Sequence, residues 1–338
     1  MTKLIIYLYI ILYYIGVFRF FYFLNRKSQV VLTYHHVIND HIYDETLLHL
    51  GVSCSEYSFS KQLDIICSRF KVTTELGVPN SCIITFDDGY KNNLEVAAPY
   101  LNQKSAPGLF FIPAFYFDAA VNDHTLWVDK LLMWFSYAPE GKYHALQTDF
   151  VINAEPYSRN KIWEFWYTKI SSNYGMLNAL LDTLNNILSF DKIKELIDDQ
   201  MYQSRFTVMD TDALNALKKM NHKLALHSYK HDILSLLDDG GLEQDFKQCA
   251  LHAKQYNINY YAYPFGGGAE VSSKVIKKCE EYGYKAAFMN YKNENETKYS
   301  IGRISLANFS NKYRIEARLC GFEDFLKKIR STFRWSNA

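Results

Sequence analysis

Ser81-Cys82-Ile83-Ile84-Thr85-Phe86-Asp87-Asp88-Gly89-Tyr90 joins a largely apolar run to two adjacent acids and a glycine. A short run rich in β-branched and aromatic residues, ended by a turn residue, reads as a buried strand. Strands without polar alternation belong to parallel sheets covered on both faces. Two carboxylates at the end of such a strand are unfavourable unless something uses their charge. In parallel α/β barrels that C-terminal end carries the active site. Asp-Gly is also a common turn dipeptide, so this segment alone is equally consistent with a plain turn.

Similar runs lie on either side. Gln29 to Tyr34 (QVVLTY) precedes it, and Gly108 to Ile112 (GLFFI) follows and is stopped by Pro113. Further strands are expected at Lys223–Leu226, Asn259–Tyr263, Lys285–Met289 and Ser300–Ile304. Helical patterns separate them: Phe59–Phe70, Asn92–Asn102, Asp212–Met220 with Thr211 or Asp210 as N-cap, Leu242–Gln255, Ser272–Tyr282 and a closing Phe322–Arg330. Alternating strands and helices predict a parallel α/β architecture. About seven strands in this order suit a (β/α) barrel, from residue 28 to 338, better than an open doubly wound sheet. Leu126 to about Leu196 reads as mostly helical, an insertion at about 120–205. Its Trp127, Asp129, Trp134, Trp163 and Trp166 suit a lid, a membrane-facing surface or a packed helical core, and none is taken as a site residue.

The 338 residues carry 37 Lys plus Arg against 36 Asp plus Glu, which lacks the basic excess of a nucleic-acid binder. The hydrophobic share, 49%, allows a sizeable core. Six scattered cysteines without close spacing read as reduced thiols, which favours a cytoplasmic setting. Leu4 to Phe18 is uncharged, Arg19 interrupts it, and Arg26 and Lys27 close it. Residues 1–27 are therefore expected to form a hydrophobic or amphipathic helix: a marginal span, an interfacial helix, or one docked on the protein. Positive charge is heavier on the C-terminal flank, which places the body on the cytoplasmic side of the inner membrane, against its surface.

Two more strand ends carry chemistry. Leu226-His227-Ser228-Tyr229-Lys230-His231 follows a short apolar strand, and its HxxxH pair converges on one metal if it lies on a helical turn. One carboxylate and two imidazoles make the open three-ligand set of a catalytic zinc or similar ion. Tyr261-Ala262-Tyr263-Pro264-Phe265-Gly266 is the third, which read alone is only a strand terminator.

TFDDGY, HSxxH and YPFG, in that order, resemble the signature of the polysaccharide deacetylase family, the NodB-homology carbohydrate esterases. The resemblance covers roughly residues 28 to 310 apart from the insertion. It implies a distorted (β/α) barrel and a metal-dependent hydrolase that removes an N-acetyl group from an amino sugar of a bacterial glycan. It implies Asp87 as general base, Asp88, His227 and His231 as ligands of a divalent metal, zinc first with cobalt, nickel or manganese as alternatives, and the Tyr90 N–H as an oxyanion donor. Tyr263, Pro264 and Phe265 would wall the sugar groove. Two features depart from the pattern. The arginine that braces the base in many relatives is absent from the third motif, where the nearest position is Ala262, and no histidine follows His252 to serve as the terminal acid. His35, in Leu32-Thr33-Tyr34-His35-His36, is nominated as the acid, with His36 pointing the other way. These departures keep a glycan-binding pseudoenzyme open, and the apolar N-terminus keeps open a deformylase or O-deacetylase acting on a lipid-linked sugar.

Overall fold

The apolar runs become strands where composition places them. In a computed structural model, residues 3–43, 52–118, 121, 123–292, 296–306 and 308–335 are described. The expected first residue of the insertion, 120, and residues 1–2 and 336–338 lie outside them. In chain order the strands are β1 (Gln29–Tyr34), β2 (His36–Ile38), β3 (Ser53–Ser55), β4 (Lys71–Val72), β5 (Ser81–Phe86), β6 (Gly108–Ile112), β7 (Gly141–Ala145), β8 (Thr148–Ile152), β9 (Lys223–Leu226), β10 (Tyr260–Ala262), β11 (Ala286–Met289), β12 (Ile301–Gly302) and β13 (Ile304–Ser305).

The main sheet runs β12-β11-β10-β9-β6-β5-β1-β13, with β4 beside β5, and its pairs are parallel. Its two ends meet in one chain segment parted only by Arg303. β12 pairs with β11 through Met289↔Gly302, and β13 pairs with β1 through Leu32↔Ile304. The last strand thus closes the sheet on the first, and the eight strands of the path share seven barrel positions. The closed sheet is the distorted (β/α) barrel expected from the strand pattern, with Arg303 as the irregular point in its seam.

Burial explains the register. β5 is buried along its whole length, because helices cover one face and the barrel interior the other. Phe86 stacks on Phe110 at 4.7 Å and on Tyr34 at 5.6 Å between ring centroids. The helix Glu56–Arg69 starts where the Ser55 hydroxyl accepts from the Ser58 N–H, and it buries Phe59, Leu63 and Ile66 on one face. Each such side chain contributes roughly 1.5–3 kcal/mol.

Two features go beyond the expectation. The insertion is mostly helical, but β7 and β8 form an antiparallel hairpin within it. Its two-residue turn, Leu146-Gln147, has φ of 45° and 62°. That geometry is normally announced by Asn-Gly or Asp-Gly, and this pair gives no such signal. The insertion also has its own core, where Trp134, Trp166, Leu180 and Leu184 are fully buried. The N-terminal segment, expected as one helix, is two, Lys3–Tyr14 and Val17–Leu24, bent by 69°. Gly16 takes φ 88° at the break, a conformation cheap only for glycine. No single described helix is long and apolar enough to cross a membrane. Tyr9 and Phe18 pack on Ala317, Cys320 and Phe322 of the C-terminal helices.

Candidate metal centre and active site

Asp88 leaves β5 with φ 69° and Gly89 follows at 66°. This left-handed pair reverses the chain at once and turns the Asp88 carboxylate back over the barrel mouth. An aspartate tolerates that conformation better than most side chains. His227 directly follows β9, with its N–H on the Ile112 carbonyl. His231 reaches the same point, but not on a helical turn. Ser228 and His231 adopt φ of 60° and 62°, and the Ser228 hydroxyl accepts from the His231 N–H at 2.8 Å. A tight loop does what the HxxxH spacing was expected to do by helix. Residues held in such conformations cost about 1–3 kcal/mol each, and they cluster at functional sites.

The three side chains converge. One ligand atom from each of Asp88, His227 and His231 lies within 4.8 Å of the others, and all three residues are buried. Asp88 Oδ1 is 3.2 Å from His227 Nε2 and 3.1 Å from His231 Nε2, yet it makes no hydrogen bond. His227 Nδ1 is 2.8 Å from the Ala262 carbonyl, which puts a proton on that nitrogen, so that the neutral ring offers Nε2, the atom facing Asp88, as a ligand. A buried carboxylate oxygen facing two imidazole nitrogens at this spacing is a donor set that suits a divalent cation. Burial alone would raise the Asp88 pKa, but His231 and His227 hold it well below the usual carboxylate range.

Asp87 is wholly buried and faces Arg303. The guanidinium donates Nη1 to Oδ1 and Nη2 to Oδ2, each at 2.6 Å, a bidentate pair. Arg303 also donates to Thr85 Oγ1, to the Met289 carbonyl and to Asn290 Oδ1. Burial pushes the Asp87 pKa up, and the guanidinium more than offsets it, leaving the carboxyl below its ordinary value. The brace missing from the third motif is therefore present, carried by the barrel seam instead. Sequence reading missed it because it looked beside Ala262. The available signal was a lone arginine inside an otherwise apolar strand, Ile301-Gly302-Arg303-Ile304.

His35 Nε2 lies 3.8 Å from Asp87 Oδ2. Burial lowers its pKa, opposed by the charges of Asp88 and Asp87.

No protein-family model and no curated protein sequence matches the chain. Solved structures do. The deacetylase PplD of Streptococcus pyogenes superposes with a TM-score of 0.50 at 11% identity, over 86% of this chain and 96% of that one. The polysaccharide deacetylase BA0330 of Bacillus anthracis gives 0.50 at 13%, over 86% and 68%. IcaB of Ammonifex degensii gives 0.48 at 16%, over 86% and 96%. The chain has the polysaccharide deacetylase fold.

Above the Asp88–His227–His231 cluster of this deacetylase-type barrel lies a cavity of about 280 Å³. Asp88, His231, His35 and Tyr90 line it from the barrel, and Asp129, Trp163, Tyr167 and Arg205 from the insertion. His36 lines it too, against the expectation that it turns away, because the chain bends at His35 instead of continuing the strand. His36 stacks on Tyr90 at 3.7 Å and its Nδ1 meets Asn92 Nδ2 at 3.0 Å. The Tyr90 hydroxyl donates to both oxygens of Asp129, at 3.1 and 3.0 Å. Burial, and then Asp88, raise the Asp129 pKa to about 7.

Of the wall expected from the third motif, Phe265 alone lines the cavity, at φ 60° and 4.9 Å from the His231 ring. Tyr263 and Pro264 do not. Tyr263 is wholly buried beneath, with its hydroxyl donating to the Tyr299 carbonyl at 2.9 Å, because the strand pleat turns it into the barrel. The Tyr90 N–H takes no part in the bridge that pairs this residue with Val208, whose hydrogen bonds run from Lys91 N–H to Thr207 and from Met209 N–H to Gly89. The insertion residues were missed because their role depends on where a separately packed unit sits, which no local pattern encodes.

Proposed function

We propose that the chain is a metal-dependent hydrolase that removes an N-acetyl group from an amino sugar of a bacterial surface or lipid-linked glycan. The observation that carries this reading is the buried Asp88–His227–His231 cluster beside an arginine-braced Asp87. A divalent ion held by the three ligands, zinc first, with cobalt, nickel or manganese as alternatives, would polarise the amide carbonyl and lower the pKa of water. The chain's own groups do the rest. Asp87, kept ionised by Arg303, takes a proton from the attacking water. The Tyr90 N–H donates to the developing oxyanion. His35 protonates the leaving nitrogen as the carbon–nitrogen bond breaks, giving acetate and a free amine. The cavity lining of Phe265, Trp163 and Tyr167 supplies an aromatic wall for the sugar.

Two other readings remain distinguishable. A glycan-binding pseudoenzyme was suggested by the missing brace and the missing terminal histidine; Arg303 supports an answer to the first, and the acid role proposed for His35 answers the second. A deformylase or O-deacetylase would use the same site. The deciding experiment assays acetate and formate release from N- and O-acylated sugars and glycan oligomers, with and without chelator. Acetate release that stops on chelation and returns with added metal is expected; bound metal with no release from any substrate sinks the enzyme reading.

We also propose that the N-terminal helix pair lies on an anionic membrane surface. One face of the pair is docked on the protein, while Leu4 and Ile15 are 78% and 67% exposed, with Leu8, Ile11, Phe20 and Phe23 also exposed. Exposed Arg26, Lys27, Lys327, Lys328 and Arg330 supply the positive rim. An apolar face with basic flanks suits an interfacial helix and the anionic cytoplasmic leaflet. Sedimentation with phosphatidylglycerol-containing vesicles, falling with salt and weakened by Phe20→Ser with Phe23→Ser, is the expected outcome; equal behaviour with neutral vesicles and with the variant removes the proposal.

A further inference from the structure

The insertion does not stand beside the barrel mouth; it is pinned across it. Trp127 Nε1 donates to the His231 carbonyl at 3.0 Å, after β9. Trp127 and Tyr167 each pack on Phe265, after β10, at 5.7 Å. Asp129 accepts from Tyr90, after β5. Arg205 Nη1 donates to Ser53 Oγ at 2.6 Å, on the strand that pairs with β2 just after β1. The chain enters the insertion from β6 and leaves it into β9. In sheet order β10, β9, β6, β5 and β1 are five successive positions. The roof therefore covers one continuous arc of the mouth, and the arc over β11, β12 and β13 is the part to which none of these contacts reaches.

A polymer deacetylated at an internal unit needs a groove open at both ends, because the glycan must leave the reacting residue in two directions. Here Asp129, Trp163, Tyr167 and Arg205 of the insertion line the cavity together with Asp88 and His231. Its volume, about 280 Å³, is at the low end for sites that bury a drug-sized ligand, about 300–1,000 Å³. That space admits one acylated pyranose, not a run of them. The lining suits one as well: aromatic rings for its apolar face, and two buried polar side chains for its hydroxyls.

Resting on the deacetylase reading above, we infer that the site is single-ended and deacetylates one terminal amino sugar unit that enters from the β11–β13 side. The unit's leaving substituent, whether a short glycan or a carrier, stays outside the cavity.

The test uses the full chain and end-labelled homo-oligomers of N-acetylglucosamine and N-acetylgalactosamine, from dimer to hexamer, together with simple N-acetylhexosamine glycosides. The position of each new free amine is read by tandem mass spectrometry. The expected result is one acetate per oligomer, lost from a terminal unit, with kcat/KM changing less than about threefold from dimer to hexamer. Turnover of the simple glycosides alone also supports the inference. Free amines at internal units, or kcat/KM rising tenfold or more with length, overturn it while leaving the deacetylase reading intact. No acetate from any of these, with metal bound, counts against both.

Discussion

Arg303 lies wholly inside the barrel, its guanidinium shared between Asp87, Thr85, Asn290 and a backbone carbonyl. Arg303→Met strands a buried carboxylate, and removing one partner of a buried pair costs about 3–5 kcal/mol. Denaturant unfolding should show a loss of that order. Arg303→Lys keeps the charge and loses the fork, so the fold should survive with kcat lowered roughly 10–100-fold through misplacement of Asp87, the proposed base. The sign of its pH effect follows from the opposing causes. Burial raises the Asp87 pKa and Arg303 lowers it; a weaker partner lets the pKa rise, so the acid limb of the kcat/KM profile should move to higher pH. His222 offers a second pH prediction, away from the site. Its Nδ1 accepts from the Gly108 N–H at 3.0 Å, and burial pulls its pKa from 6.5 to about 4. The folded chain holds it neutral while the unfolded chain takes a proton first. Stability should thus be level above pH 6.5 and fall as pH drops toward 4, by up to roughly 3 kcal/mol. His222→Gln should flatten that limb in denaturant titrations across pH 4–7.

The elements matter here through their ends. The carboxylates leave β5 on a left-handed turn, and two histidines hang from one loop after β9, so the site depends on loops clamped by other parts of the chain. Trp127, in the insertion helix Trp127–Tyr137, is such a clamp. Trp127→Phe keeps most of the apolar contact and leaves the His231 carbonyl without its donor. A buried acceptor left unsatisfied costs about 1–3 kcal/mol. Equilibrium unfolding should show a loss in that range, and calorimetric titration a weaker affinity for zinc. An unchanged metal affinity would mean that the insertion does not help to hold the His231 loop.

At the scale of the whole molecule, two separately packed cores meet at the site: the barrel's and the insertion's. A metal held by Asp88, His227 and His231, as proposed, should stabilise the fold by mass action, about 2.7 kcal/mol at a hundredfold excess over Kd. Thermal melts should therefore shift upward with zinc in the native chain. They should not shift in His231→Ala, which removes a proposed ligand, and should still shift in Asp87→Ala, which keeps all three proposed ligands and should abolish turnover. A shift that persists in His231→Ala would place the metal elsewhere.

The sequence by itself determined the strand and helix pattern of the barrel and the three strand ends that bear Asp87, Asp88, His227 and His231, because buried parallel strands are continuous apolar runs and polar residues at their ends stand out against them. It did not show the turn at Leu146-Gln147, whose residues lack the usual glycine signal, or the break at Gly16, where the apolar composition continues across the bend. Only the tertiary structure decided which arginine pairs with Asp87, that His36 shares the cavity with His35, that Tyr263 lies beneath the cavity rather than beside it, and that Asp129 and Arg205 line it with Asp88 and His231. The brace depends on the closure of the barrel at Arg303 and the placing of Asp129 and Arg205 on the docking of the insertion, contacts between residues 39 to 216 positions apart in the chain that local periodicity cannot carry; His36 and Tyr263 turn on a bend and a pleat that the apolar pattern does not mark.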